Sequence, residues 1–168
     1  LRNYTPFGLA FKLSQGGEAI DEREVERSKA MRGIMGWVKL HPYNIAQKVV
    51  VIVEHFREHV MSKIGGRAKA MVVTSGRQAA VRYKLAMDKY IKERGYAGLK
   101  TLVAFSGDIP DPDSGPDLFN EINLNPDIKG AEPTEAFKQD QYRVLLVANK
   151  YQTGFDQPLL HTMYVDKK

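Results

Sequence analysis

Five residues near the end of the chain, Gln152, Thr153, Gly154, Phe155 and Asp156, bring an amide, a hydroxyl, a glycine and a carboxylate directly behind the apolar run "YRVLLVA". Two other apolar runs end in the same chemistry: "KAMVVT" passes into Ser75-Gly76-Arg77, and "LKTLVAF" passes into Ser106-Gly107. Hydroxyls, together with backbone N–H groups freed by an adjacent glycine, suit the oxygens of a phosphate. A helix starting at Arg77 would add the positive end of its dipole and a guanidinium beside Ser75. Ser-Gly is also ordinary turn chemistry, so one such tip would carry little. Three inner strand tips on one edge point to an anion-binding edge.

For the tips to share an edge, the runs must be parallel strands. "KAMVVT", "LKTLVAF" and "YRVLLVA" are short and continuously apolar, as strands buried on both faces are. "LHTMYVD" reads as a fourth strand. "RQAAVRYKLAMDKYIKERG" alternates with them as a helix, with Ala80, Tyr83, Met87, Tyr90 and Ile91 on its apolar face and Gly95 as its stop. Strands alternating with helices predict an α/β fold, a parallel β-sheet with helices on both faces. Ligands of such sheets bind beyond the carboxyl ends of the strands.

The remaining stretches are less patterned. Residues 21–38 read as a charged helix whose end is weakened by Gly33 and Gly36. "HPYN" supplies a break, with Asn44 as the N-cap of a helix whose stripe is Ile45, Val49, Ile52, Val53, Phe56 and Val60. "IGG" at 64–66 ends that helix. Residues 108–133 are rich in Pro and Asp, long for a connection in a compact domain, and read as a disordered or loosely packed surface loop ahead of a short helix, "TEAFKQD". Arg82, Lys84, Lys89 and Lys92 read as a solvated helix face.

At 168 residues the chain fits one domain and a short appendage. A net charge of +5 allows an anionic partner, and the absence of cysteine removes disulfides and thiolate metal sites. No apolar stretch reaches the roughly 20 residues of a membrane-spanning helix, and a cytoplasmic setting is expected. The chain opens at Leu1 without methionine and closes at Lys168 behind a strand-like run, so a segment cut from a longer protein is expected.

"KAMVVTSGRQAAVRYKLAMDKY", "LVAFSG" and "FKQDQYRVLLVANKYQTGFDQPLLHTMYVDKK" resemble the motor subunit of type I restriction enzymes, specifically the second RecA-like domain of a superfamily 2 helicase or translocase. The resemblance covers about His41 to Lys168. It implies residues 1–40 as a helical or linker segment from a preceding domain, and 41–168 as the second RecA-like domain, truncated at its C-terminal end. By that resemblance Ser75, Arg77, Ser106, Lys150 and Thr153 contact DNA phosphates. Gly154 and Asp156 face a nucleotide, with Asp156 accepting from a ribose hydroxyl. The implied partners are double-stranded DNA, the first RecA-like domain of the same subunit, and the methylation and specificity subunits of a bacterial or archaeal restriction complex. The implied cofactors are ATP and Mg²⁺, in the full-length subunit only. The sequence lacks G-x-x-x-x-G-K-[ST], the loop that cradles nucleotide phosphates, so this piece is expected to be inactive alone.

Two rival readings use the same edge: a freestanding Rossmann-like enzyme for a small phosphorylated ligand, and a non-catalytic interaction module. The first lacks the G-x-G-x-x-G fingerprint. Two motif-like clusters read as decoys. His55-Phe-Arg-Glu58-His59 has the H-x-x-E-H spacing of a zinc protease class, but no third ligand is marked. Pro116-Asp117 with Asp127-Ile-Lys129 mimics a nuclease metal site, but from a loop that holds no two carboxylates on one ion.

Overall fold

The computed structural model describes residues 22–151 and 155–167. The chain divides at Asn44/Ile45 into two units. The first contains α1, Glu22–Leu40, the expected charged helix, which runs through Gly33 and Gly36.

Helix α2, Pro42–His55, opens on its proline, where the missing N–H costs nothing. Asn44 is therefore inside the first turn and does not cap it; its amide donates to the Val38 carbonyl at 3.0 Å. The β-branched run is helical as its spacing predicts, with Ile45, Val49, Ile52 and Val53 buried. The stripe continues through a π-helical turn, Phe56–Val60. Left-handed backbone at Ile64, Gly65 and Gly66 then stops the helix.

The second unit is built on four parallel strands: β1 Lys69–Thr74, β2 Lys100–Ala104, β5 Tyr142–Val147 and β6 Leu160–Asp166. Their order is β2-β5-β1-β6, so β5 and β1 are central. Every residue of β1 and β5 is buried, which explains their unbroken apolar runs. The register sets Ala70 beside Val144 and Thr101 beside Val144. Strand β2 thus lies at an edge, not inside the sheet as its apolar sequence suggests.

The two faces of the sheet are covered unequally. One carries α2 and α3, Arg77–Arg94, whose Ala80, Val81, Tyr83, Met87 and Ile91 pack on Ala70, Val72, Val103 and Val144. The other is closed by short pieces: α5, Pro133–Ala136, with Phe137, Ile128 and Phe155 over Met71, Val73, Leu102 and Leu145. Edge strand β6 alternates half-buried and exposed residues, leaving Met163 and Val165 exposed.

The acidic connection between β2 and β5 is ordered, contrary to its composition. It holds a hairpin, β3 Ile109–Pro110 with β4 Leu118–Phe119, then α4 Glu121–Leu124 and a 3₁₀ turn, Pro126–Ile128. Asn120 and Asn123 form a reciprocal capping box on α4. The anchor is Asp111, 1% exposed, which accepts from Arg82 at 2.6 and 2.9 Å, Gln78 at 2.9 Å and Ser114 at 2.5 Å. Burial pushes its carboxyl up, but these donors together hold it below the ordinary aspartate value. Arg82 is therefore the clamp of this segment, not a member of a solvated face. Lys84 is buried as well, on the Thr101 carbonyl and hydroxyl and on Asp88.

Among the described residues, no helix is long and apolar enough to cross a membrane.

Candidate functional site

Strand order brings the Ser75-Gly76 and Ser106-Gly107 tips to the same edge as the end of β5. Because β5 lies between β2 and β1 and all run parallel, Ser75, Ser106 and the residues after Val147 leave the sheet along one edge from adjacent strands. Thr74 locks that edge: its hydroxyl donates to the Val147 carbonyl at 2.9 Å, with the Gly76 carbonyl 3.1 Å away. The turn then leaves Ser75 exposed.

Gly76 is extended immediately before α3, and no side chain caps the helix there. The first turn of α3 carries no acidic residue. An 18-residue helix thus presents the positive end of its dipole at this edge beside Ser75. Arg77, exposed, reaches across to the β2 tip and donates to the carbonyls of Ser106 at 3.2 Å and Asp108 at 3.1 Å. Gly107 is left-handed (φ +75), and a Cβ there would stand 3.4 Å from the Arg77 guanidinium. The backbone conformation favours glycine there, while the guanidinium, at the end of a flexible exposed side chain, could give way to a Cβ.

The β5 tip is built differently. Ala148 donates its N–H to the Ala104 carbonyl, extending the sheet one residue. Asn149 and Tyr151 are then left-handed (φ 54 and 57) without being glycine. Between them Lys150 donates to Glu121 at 2.9 Å, with Glu132 at 3.7 Å. Burial pulls the Lys150 ammonium down, while the Glu121 carboxylate and the Tyr151 ring more than offset it, so its pKa lies above the ordinary lysine value. Tyr151 in turn donates to Glu132.

The predicted residues therefore divide. Arg77 is hydrogen-bonded to the Ser106 main chain, and Ser75 stands one residue before the N-cap of the same helix. Lys150 leaves the neighbouring strand but is engaged by carboxylates. Thr153 and Gly154 lie outside the described residues. Asp156 is exposed, following Phe155, whose ring packs 5.9 Å from Tyr151 and 6.2 Å from Phe137. Reading the sequence missed Glu121 and Glu132 as partners of the tip. The "NEIN" capping pattern at 120–123 was the one local signal for a formed element there.

Residues of the two motif-like clusters make other contacts. His55 Nδ1 is 2.8 Å from the Tyr164 hydroxyl, a link between α2 and the edge strand β6, and its ring is 5.0 Å from His59. Asp127 pairs with Lys100 at 3.0 Å. Among the described residues, no group of three or more His, Cys, Asp or Glu side chains could hold a metal ion.

A parallel four-stranded sheet with helices against it, and with its polar tips on the carboxyl edge, defines an α/β domain of the RecA-like kind, here without a phosphate-binding loop. No family model matches the chain. Three relatives do, all from Methanocaldococcus jannaschii and all named as type I restriction enzyme endonuclease subunits. The MjaVIIP subunit is 29% identical over 146 residues, 77% of this chain and 13% of its own length. The MjaVIIIP subunit is 25% identical over 120 residues, 67% of this chain and 12% of its own. The MjaIXP subunit is 29% identical over 113 residues, 67% of this chain and 10% of its own. The chain is thus a distant relative of restriction endonuclease subunits, and it spans roughly an eighth or less of the length of these curated relatives.

Proposed function

We propose that this chain is the second RecA-like domain of a type I restriction motor, gripping the backbone of duplex DNA at the carboxyl edge of its sheet. The observation that carries the reading is the meeting of two tips on one edge: Ser75, the uncapped start of α3 and Arg77 follow β1, Ser106 follows β2 on the far side of β5, and Arg77 bridges to the Ser106 carbonyl. Hydroxyls, main-chain N–H groups and a guanidinium are the donors that bind phosphate oxygens without reading bases. The names of the relatives support a DNA substrate within a multi-subunit complex.

Each side chain has a distinct part in such a grip. Ser75 and the first N–H groups of α3 donate to one phosphate, at the positive end of the helix dipole. Arg77 retains free guanidinium donors beyond the two contacts made by Nη1, and these suit a second phosphate. Ser106 donates beside it, while Lys150 and Thr153 extend the track along the third tip. A grip of this kind has no sequence preference.

ATP and Mg²⁺ belong to the proposal only through a partner domain. The residues here do not make a nucleotide site by themselves: the phosphate loop is missing from the sequence, and Asp156 is a single exposed carboxylate. Gly154 and Asp156 would face a nucleotide held by the first RecA-like domain, and translocation would follow from that cleft opening and closing. The methylation and specificity subunits would supply sequence recognition.

The test is duplex binding by this chain across a salt series, with Ser75→Ala/Arg77→Ala and Asp156→Ala beside it. Loss of the one neutralising guanidinium in the double variant lowers the salt slope by about 0.9, while loss of the uncharged Ser75 hydroxyl weakens binding without changing the slope. Asp156→Ala leaves binding unchanged. Binding by the double variant with an unaltered slope would put the grip elsewhere.

A further inference from the structure

The carboxyl edge holds one cation in a way that simple anchoring does not require. Lys150 receives two glutamates from the ordered acidic segment: Glu121, in the first turn of α4, at 2.9 Å, and Glu132, just before α5, at 3.7 Å. The Lys150 and Glu121 side chains are 24% and 21% exposed, neither sealed nor free. Glu132 also takes the Tyr151 hydroxyl, so both residues of this turn are held from the same side. Asn149 and Tyr151 flank Lys150 in left-handed conformations, which non-glycine residues adopt only when their surroundings enforce them.

We infer that Glu121 and Glu132 are an internal stand-in for phosphate, occupying Lys150 in the unbound protein and yielding it to an anionic ligand at this edge. The inference rests on reading this edge as a phosphate-binding surface. Its physical basis is that a carboxylate and a phosphate oxygen offer an ammonium the same charge-assisted hydrogen bond. The lysine is compensated in both states, and the glutamates it releases are partly exposed to water, so exchange leaves no fully buried bare charge. Partial exposure keeps the internal pair within reach of competition, because ion pairs open to solvent contribute only about 0–1 kcal/mol. The Arg82–Asp111 pair is the contrasting case: Asp111 is 1% exposed and bound by three residues, so it stays a fixed clamp. The segment carrying both pairs is thereby hinged on Asp111 and releasable at Glu121.

The experiment compares the chain with Glu121→Gln/Glu132→Gln, with the same pair plus Lys150→Gln, and with a charge-matched control, Glu93→Gln/Glu135→Gln. Glu93 and Glu135 pair with Lys89 and Lys138 instead of Lys150. Each protein is titrated with a short DNA duplex and, separately, with inorganic polyphosphate. The expected result is binding about twofold to fivefold tighter in the Glu121/Glu132 variant, as loss of a competing ion pair of up to about 1 kcal/mol allows. That gain exceeds the control's and vanishes with Lys150→Gln. A gain no larger than the control's, or one that survives Lys150→Gln, overturns the inference. If polyphosphate binding rises through Lys150 while no variant binds duplex, the masking stands and the DNA reading falls. If no variant binds either anion, the masking is overturned.

Discussion

The two ends of the sheet both carry cations, and they treat them in opposite ways. At the amino end Lys69, fully buried, donates to the carbonyls of Gln139 and Tyr142, and Arg143 donates to those of Ala68 and Met61. These charges serve main-chain acceptors in the interior and have no room to engage a ligand. At the carboxyl end Arg77 is exposed and Lys150 half-buried, each held by groups a phosphate could replace or join. One end uses positive charge as an internal staple and the other presents it. Composition alone, a net +5, could not have distinguished them.

Substitutions sharpen the contrast, beginning with the clamp behind the carboxyl end. Arg82→Met leaves Asp111 buried without its guanidinium, and breaking a buried pair this way costs about 3–5 kcal/mol. Urea unfolding should show that loss; a change under about 1 kcal/mol would mean that the acidic segment does not depend on Arg82.

At the amino end, Arg143→Met orphans the buried Ala68 carbonyl and removes the part-buried contact to the Met61 carbonyl, and an unsatisfied buried acceptor costs about 1–3 kcal/mol. Arg77→Ala should cost under about 1 kcal/mol, as loss of exposed contacts does. Equal losses at Arg143 and Arg77 would erase the distinction between staple and presented charge.

A subtler difference appears in pH dependence. Burial, then the neighbouring Arg143 charge, push Lys69 down to about 8 from its ordinary 10.5. Below pH 8 the folded and unfolded states both hold the proton, and the penalty of burying the charge is fully present. As pH rises from 8 towards 10.5 the folded state gives up the proton first, so stability increases across that window. Lys69→Met should flatten the rise between pH 8 and 9.5. An unchanged slope in that variant would assign it to another group.

Much of this was legible in the sequence, and the reason is physical. Strands β1 and β5, buried on both faces, must be continuously apolar, and α3 must show its stripe and its Gly95 stop; all three read directly. The turns at Ser75-Gly76 and Ser106-Gly107 were legible for the same reason, since a turn off a parallel strand leaves few alternatives. What local pattern could not give was strand order, which comes from long-range pairing: β2 looked central and lies at an edge. That edge is closed by the Asn125 side chain, whose amide takes the N–H and the carbonyl of Val103 as a further strand would. The acidic segment also defeated composition. Asp111 reads as one more solvated acid until Arg82, Gln78 and Ser114 converge on it. Asn44 failed as a cap because Pro42 could already begin the helix.

The central claim is that the carboxyl edge, and not the amino end, meets DNA. Amide hydrogen exchange with and without saturating duplex tests it most directly. The account predicts new protection at residues 75–79 and 106–108, and around Lys150, with no change near Lys69 and Arg143. Protection confined to the amino end, or to the exposed side of β6 at Met163 and Val165, would contradict it.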